Sequence, residues 1–403
     1  MPQQPPEPIR ILAPHSARRD ILEQVTRRRA LAIGASGAMA AWLSACGGSS
    51  GTSGGSSGGG GEEETPASTL GADAKVEAGP LLLANWVDYT DPENYEKYTT
   101  EVGPKVNVDG YGSNDELLAK LSAGGAKFDL VAPTGYAVKT MIEQDLAMPL
   151  DRALIPNMKN IEDTFTKSEF DPGNKYSVPK DYGVTSFFWR TEVVKEQPTT
   201  LAECFELLKK YKDARVNFLE GATQTFALAL PALGFSLNSE DEGEIEKAKE
   251  LLLSVKPYVD TINSTFIPRG QAGQIDFGIG WNGDVARIME SRNKVDDEMV
   301  FLLPDGPTEV WVDNWVIPSA SENPVAAHKF INLMLDPEYA ARETEYHQYP
   351  VPVKGVQDIA DEAITGNETI YVSQEKLAQY ETQLQTPKGQ QLRDRAYTEF
   401  KAA

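Results

Sequence analysis

The sequence has few of the residues that build metal or redox sites. Its 403 residues include only two cysteines, Cys46 and Cys204, and three histidines at the scattered positions 15, 328 and 347. Neither cysteine has the neighbour spacing of zinc ligands, so we expect no metal and no cofactor. Cys204 lies in LAECFELL, which has a helical pattern, and there we expect a buried free thiol.

Positive charge is also scarce. The chain has 38 Lys and Arg residues against 60 Asp and Glu residues, and its formal net charge is −22. Such a field repels nucleic acid, which excludes DNA and RNA as expected partners. The phosphate-binding loop G-x-x-x-x-G-K is absent. A hydrolase with paired carboxylates is the alternative from another functional class, but no motif assigns it catalytic residues, and we expect a protein that is not an enzyme.

The first 79 residues have the composition of an export and tethering segment. In residues 26–46, TRRRALAIGASGAMAAWLSAC, basic residues precede an apolar run of signal-peptide length, shorter than the roughly 20 residues of a membrane span. Arg27 and Arg28 resemble a twin-arginine export signal, although Ala30 departs from its pattern. Residues 43–47, LSACG, resemble a bacterial lipobox, which implies a signal peptide at 1–45 and a lipid on Cys46.

The segment after the lipobox is a predicted tether. Residues 47–61 contain only Gly, Ser and Thr, so we expect 46–79 to be a flexible tether, in which about 20 such residues reach roughly 25 Å on average. The mature protein is therefore predicted to lie outside the cytoplasm, anchored by lipid to the periplasmic or external face of the cell membrane.

From about residue 80, short apolar runs alternate with amphipathic stretches. The patterns predict strands at LLLANW (81–86), VNVDGY (106–111), FDLVAP (128–133), SFFWR (186–190), RVNFL (215–219), MVFLLP (299–304) and EVWVDNWVIP (309–318), and in FGIGWNGD (277–284) a strand that runs into a helix start. They predict helices after Ser113, after Gly135, and at 203–211, 225–235 and 324–335. This alternation indicates an α/β fold with mostly parallel sheets. Two α/β units with a ligand cleft between them fit the length of the chain.

Four predicted strands end in aromatic and polar residues. They are NWVDY (85–89), PTGY (133–136), GWNGD (280–284) and WVD (311–313). In VWVDNW (310–315), Trp311, Asp313 and Trp315 alternate, so a strand would place them on one face. One such strand end is weak support for a site, but four in one α/β chain favour a shared ligand-binding surface.

These stretches, in this order, resemble the polyamine-binding proteins of spermidine/putrescine ABC importers. The similarity runs from about Leu81 to the C-terminus and includes FDPGNKYSVPKDYG (170–183) and YPVP (349–352). It implies a two-lobed type II periplasmic-binding-protein fold, in which two strands form the hinge. The implied lobes are 80–183 plus 312–358 and 184–311 plus 359–403. The resemblance further implies a monomer that delivers its ligand to ABC permease subunits.

The resemblance also implies which residues bind the ligand. They are Trp86, Tyr89, Thr134, Tyr136, Trp281, Trp311, Asp313, Tyr349 and, through a looser alignment, Gln383. Their chemistry suits a polyamine, because aromatic faces attract both methylenes and ammonium groups and a buried ammonium needs a carboxylate. Asp313 is the expected ammonium partner, whereas Trp315 is expected in the core behind the site.

One departure from the family concerns the far end of the ligand. Members commonly carry an acidic pair where this chain has Gly221 and Gln224. Adjacent Glu220 is a candidate substitute, and Asp284 and Asp88 are others. We therefore expect Glu220 and Gln224 to contact the far end, with weaker discrimination between spermidine and putrescine than two acids would give. Another small amine, or a solute with one cationic end, stays open as the ligand.

Overall fold

The computed structural model describes residues 70–124, 127–292, 298–384 and 386–403. The predicted signal peptide, Cys46 and the tether up to residue 69 lie outside these ranges. The strands are β1 (Leu81–Trp86), β2 (Val106–Tyr111), β3 (Leu130–Val131), β4 (Ser177–Arg190), β5 (Val216–Phe218), β6 (Thr261–Ile262), β7 (Phe277–Trp281), β8 (Met299–Phe301), β9 (Glu309–Val316) and β10 (Glu381–Thr382).

Helices separate most of these strands. They are α1 (Pro92–Val102), α2 (Asn114–Ser122), α3 (Gly135–Glu143), α4 (Leu201–Lys210), α5 (Ala222–Ala232), α6 (Glu242–Val255), α7 (Ile267–Gln271), α8 (Asn282–Arg292), α9 (Pro324–Met334), α10 (Pro337–His347), α11 (Glu362–Thr365), α12 (Gln374–Leu377) and α13 (Pro387–Ala402). Short 3-10 helices lie at Arg152–Leu154, Pro156–Asn160, Asp163–Thr166, Lys256–Tyr258 and Val356–Asp358.

The strands of the described chain follow the order β2-β1-β3-β9-β4-β7-β5-β6, with β8 beside β4 and β10 beside β9. The outer pairs β1–β2, β1–β3, β5–β6 and β5–β7 are parallel. In the middle, β4 runs antiparallel to β9, to β7 and to β8. Two antiparallel strands, β4 and β9, thus join two parallel sets, and we call the set with β1–β3 the first lobe and the set with β5–β7 the second lobe.

Each lobe has its own apolar core. In the second lobe, Phe187, Phe205, Phe218 and Phe277 are fully buried among the side chains of α4, α5 and α6. The first lobe has one core on each side of its sheet. Trp315 lies in one of them, 1% exposed, with its ring edge-on to Phe330 at 5.4 Å. The structure therefore places Trp315 in the core, as expected from the sequence.

Local sequence signals explain most helix starts. Ser113 caps α2 by accepting a hydrogen bond from the Glu116 amide, and Thr200 forms a reciprocal capping box with Glu203 at the start of α4. Such caps satisfy backbone donors that lack a partner inside the helix. Pro231 lies inside the last turn of α5, and the helix ends in a turn at Gly234, whose φ of 78° lets the Phe235 amide donate to the Leu230 carbonyl at 3.1 Å.

The structure differs from the predicted strands mainly in β3 and β4. The strand predicted at 128–133 is only Leu130–Val131. In contrast, β4 begins at Ser177, nine residues before the predicted start at 186. Pro179, Lys180 and Gly183 disfavour strand structure locally, but the ladder to β9 holds this segment extended, with an irregularity between Pro179 and Asp181.

Membrane-spanning helices and metal-binding clusters are both absent from the described residues. None of their helices is long and apolar enough to cross a membrane. None of their His, Cys, Asp and Glu side chains form a group of three or more that could hold a metal ion. Cys204 is a buried free thiol, as predicted.

Candidate functional site

The centre of the candidate site is a face shared by β4 and β9. The ladder pairs Thr185 with Glu309, Gly183 with Trp311 and Asp181 with Asp313. Residues opposite each other across a ladder lie on the same face of the sheet. We call the surface made by these six residues the hinge face, because β4 and β9 connect the two lobes.

The indole of Trp311 occupies the space next to Gly183 in which a side chain would lie. A Cβ added to Gly183 would lie 2.3 Å from Trp311 Cζ2 and 2.5 Å from Asn282 Oδ1. Real side chains do not tolerate such distances, so glycine is required at this position. The absence of a side chain at 183 thus lets Trp311 lie against the sheet.

Aromatic rings form a cluster beside Asp313. The Trp311 and Tyr349 rings meet edge-on, with centroids 5.0 Å apart, and the Tyr89 and Tyr349 rings meet edge-on at 5.9 Å. Trp86 packs on Tyr111 at 4.6 Å, and its indole N–H donates to the Ala132 carbonyl at 2.9 Å. The structure therefore joins Tyr89, Tyr349 and Trp311 in one cluster of rings, of which Tyr89 lies next to the predicted carboxylate, whereas Trp86 packs on Tyr111.

Asp313 itself is buried without a full set of partners. The residue is 4% exposed, and its Oδ1 has no hydrogen-bond partner among the described residues. Burial, with the negative charge of Asp181 as a second cause, raises the pKa of the Asp313 carboxyl to about 7. A buried carboxylate in this state favours a cation that pairs with it.

Two further polar atoms near Asp313 are unpaired. Trp311 Nε1 and Gln383 Oε1 are buried and have no hydrogen-bond partner in the described chain. Gln383 follows β10, which pairs in parallel with β9 at Glu381–Glu309 and Thr382–Val310, so Gln383 comes next to Trp311. Because buried polar atoms nearly always have partners in folded proteins, this group of unpaired atoms indicates a place for a polar ligand.

Thr134 and Tyr136 approach from the start of α3. Thr134 makes a bridge with Asp313 in the sheet. Asn114 Nδ2 donates to Thr134 Oγ1 at 3.0 Å and to Tyr136 Oη at 2.8 Å. Asn114 therefore fixes the orientation of both predicted site residues beside Asp313.

The second lobe contributes Trp281 and Gln224. Trp281 pairs with Thr185 across the β4–β7 ladder, and its indole N–H donates to Gln224 Oε1 at 3.3 Å. Asp284, at the start of α8, accepts a hydrogen bond from Tyr349 Oη at 2.8 Å. Burial raises the pKa of the Asp284 carboxyl to about 6. Asp284 of the second lobe thus holds the Tyr349 ring in position.

Two candidate acids lie elsewhere. Glu220 is exposed, and its backbone N–H donates to Ser264 Oγ at 2.9 Å. The Asp88 side chain is 69% exposed, 3.9 Å from Arg287. In the described chain, no hydrogen bond, ion pair or ring contact joins either side chain to the hinge face.

Sequence reasoning missed a buried charge network behind Tyr89. Asp181 accepts hydrogen bonds from Tyr89 Oη at 2.7 Å and from Lys180 Nζ at 2.6 Å. Lys180 Nζ also lies 3.8 Å from the centroid of the Tyr89 ring and 3.6 Å from Glu343 Oε2. His347 Nε2 lies 3.2 Å from Asp181 Oδ2. The adjacent Lys-Asp pair within an otherwise apolar run was the available signal.

The acidic and basic groups of this network differ in whether they are charged at pH 7. Burial opposes ionisation of Asp181, but the Lys180 ammonium and His347 hold the pKa of its carboxyl below the usual value. Burial, followed by the charge of Lys180, lowers the pKa of His347 to about 4, so the imidazole is neutral at pH 7. Burial raises the pKa of Glu343 to about 7. An ionised Asp181 held by Lys180 therefore orients the Tyr89 hydroxyl.

Comparison with known proteins identifies the family of the chain. Residues 93–370 match the family of bacterial extracellular solute-binding proteins. The chain is 31% identical to a putrescine-binding periplasmic protein of Pseudomonas aeruginosa, over 82% of this chain and 93% of the relative. It is 32% identical to a spermidine/putrescine-binding periplasmic protein of Haemophilus influenzae, over 84% and 92% respectively.

A solved structure shares the fold. A spermidine/putrescine ABC transporter protein of Listeria monocytogenes superimposes with a TM-score of 0.75 at 29% identity, covering 81% of this chain and 99% of that one. The predicted α/β fold of the type II periplasmic binding proteins is therefore confirmed, whereas the exact lobe boundaries stay a prediction. The matched family model and the relatives together establish that the chain belongs to the bacterial extracellular solute-binding proteins.

Proposed function

We propose that this protein captures an aliphatic polyamine, spermidine or putrescine, on the hinge face and delivers it to the permease of an ABC transporter. The observation that carries the proposal is Asp313, a buried carboxylate with an unpaired Oδ1 among the rings of Trp311, Tyr349 and Tyr89. An ammonium group would pair with this carboxylate, and the rings would contact the methylene chain.

The hinge face combines aromatic rings with a carboxylate, which fits a ligand with ammonium groups on a methylene chain. A cation over an aromatic face gains about 0.5–2 kcal/mol, and a charge-assisted hydrogen bond to a carboxylate is roughly twice as strong as a neutral one. Neutral or anionic solutes would leave Asp313 without a compensating charge. Relatives named for spermidine and putrescine binding support the same ligand class.

A thermal-shift screen tests the proposal. The purified protein is heated with spermidine, putrescine, a monoamine, a neutral sugar and a carboxylic acid. A ligand that binds only the folded state at about 100 times its Kd adds roughly 2.7 kcal/mol of stability. We expect the polyamines to raise the melting temperature and the sugar and acid to leave it unchanged.

Other outcomes of this screen are equally informative. Stabilisation by the monoamine and not by the polyamines would favour a small solute with one cationic end. Absence of stabilisation by every amine would contradict the proposal.

We further propose that the mature protein is a monomer attached to the membrane by a lipid on Cys46. The lipobox-like residues 43–47 and the Gly/Ser run that follows support the anchor. In the native host, Cys46→Ala should leave the protein without lipid, either uncleaved or in the soluble fraction. Recovery of a lipid-modified Cys46→Ala protein in the membrane fraction would contradict the anchor, and a dimer in light scattering would contradict the monomer.

A further inference from the structure

Glu309 occupies the second-lobe end of the hinge face. It lies on the same face of β9 as Trp311 and Asp313, because the three alternate along the strand. Thr185 is its partner on β4, and Trp281 is the partner of Thr185 on β7. Glu309, Thr185 and Trp281 thus form a row across three neighbouring strands, on the other side of Trp311 from Asp313.

The Glu309 carboxylate is buried without a cation. The residue is 1% exposed, and its Oε2 accepts a hydrogen bond from Thr185 Oγ1 at 2.5 Å. Within the described residues, Oε1 accepts no hydrogen bond and no basic side chain lies within ion-pair distance. Burial raises the pKa of the Glu309 carboxyl to about 7. Ionising such a group is costly unless a positive charge is brought to it.

A second observation points to a ligand at the same place. Gln383 is 3% exposed, and its Oε1 has no partner in the described chain. β10 pairs Glu381 with Glu309 and Thr382 with Val310, so Gln383, the residue that follows this strand, comes next to Trp311. The buried Glu309 carboxyl, which has no cation, and Gln383 Oε1, a buried acceptor without a donor in the described chain, therefore both lie beside Trp311.

The spacing of the two carboxylates fits one length of amine. Glu309 and Asp313 are four residues apart, which places their Cα atoms about 13–14 Å apart at about 3.4 Å per residue. If each ammonium nitrogen lies about 2.8 Å from its carboxylate, Glu309 and Asp313 can bind two ammonium nitrogens that are about 8–14 Å apart. With bonds of about 1.5 Å at angles near 111°, an extended triamine with nine bonds between its terminal nitrogens spans about 11 Å, and a diamine with five spans about 6 Å.

We infer that Glu309 is the second ammonium acceptor of this protein, and that Glu309 and Asp313 together select an extended aliphatic triamine over a diamine. The inference rests on the proposed polyamine function. It assigns the far end of the ligand to β9, whereas the sequence predicted the loop at 219–224. It also reverses the expectation of weak discrimination, because a charge at 309 replaces those missing at Gly221 and Gln224.

Calorimetric titrations with spermidine and putrescine test the inference. Glu309→Gln keeps the shape and the bond from Thr185 but removes the charge. We expect it to weaken spermidine binding about 30-fold or more and putrescine binding less than about threefold, since putrescine does not reach from Asp313. Glu309→Asp, which keeps the charge, should retain part of the spermidine affinity. Exposed Glu322→Gln is the matched control and should change neither.

A second measurement needs no variant. Below pH 7 the binding of an ammonium to a protonated carboxyl releases a proton, and titrations in buffers of different ionisation enthalpy count these protons. The wild-type protein should release more protons with spermidine than with putrescine, by up to about one. Equal proton release with the two amines overturns the inference, as does an equal loss of affinity for both amines in Glu309→Gln. Either result leaves the polyamine function intact. Failure of the wild type to bind either amine overturns both.

Discussion

Replacing Asp313 by asparagine should make the ligand-free protein more stable and the binding of amines weaker. Burial raises the pKa of the Asp313 carboxyl from 3.8 to about 7. At high pH, where the carboxyl is ionised, this shift corresponds to about 4 kcal/mol less stability of the folded state. The groups around it are Asp181, Thr134, Tyr89 and Lys180. Asp313→Asn keeps the shape of the side chain and removes the titrating proton.

The pH dependence follows from the direction of the shift. The pKa of Asp313 is higher in the folded state than in the unfolded state. Its protonated carboxyl therefore contributes to folding stability fully below about pH 4, and this contribution is lost as the pH rises through about 7. The stability of ligand-free wild type relative to Asp313→Asn should therefore fall between about pH 4 and pH 8, by at most about 4 kcal/mol. Asp181 is charged nearby, so the measured change will belong to the pair of carboxylates.

Binding should change in the opposite direction. Removing one member of a buried charge pair typically costs about 2–5 kcal/mol, or roughly 30-fold to several thousand-fold in Kd. Calorimetry with spermidine at about pH 7.5 and calorimetric melting across about pH 5–8 measure the two effects. The control is Asp163→Asn, since the Asp163 side chain is 88% exposed. An Asp313→Asn protein that is less stable at every pH and binds spermidine within threefold of wild type would refute this reasoning.

Three further substitutions test the support of the site. Gly183→Ala should force the Trp311 indole away, at about 1–3 kcal/mol of stability and with weaker amine binding; unchanged melting and affinity would show that the ring does not need this contact. Lys180→Met should leave Asp181 buried without its cation and destabilise the fold by about 3–5 kcal/mol in chemical denaturation, whereas a neutral or stabilising effect would contradict the network. Trp281→Ala should weaken spermidine binding by about 1–3 kcal/mol in calorimetry, and an unchanged Kd would place the ligand elsewhere.

The strand β9 could be read from the sequence because its signal is local. The alternation of Trp311, Asp313 and Trp315 has the period of a strand, and the structure confirms the strand at Glu309–Val316. The capped start of α2 was predictable for the same reason, since the cap and the helix are neighbours in the chain.

Asp181 and Glu309 were not predictable, because their environment is made by distant segments. Asp181 lies in PKDYG, whose residues favour a turn, and only the ladder to β9 makes this segment a strand. Glu309 stands at the start of its strand, where an exposed acid is common. Thr185 on one side and β10 on the other bury it, and both are more than 70 residues away in the sequence.

The most direct test of the polyamine function compares spermidine with its derivative acetylated at both terminal nitrogens. The two molecules share the methylene chain, but the derivative lacks both terminal charges, of which Asp313 would neutralise one and Glu309 the other. In titrations of the wild-type protein at about pH 7.5, the function predicts saturable binding of spermidine and a loss of about 100-fold or more for the derivative, since each charged bond is worth about 1.5–3 kcal/mol. Equal affinity for both molecules, or binding of neither, would contradict it.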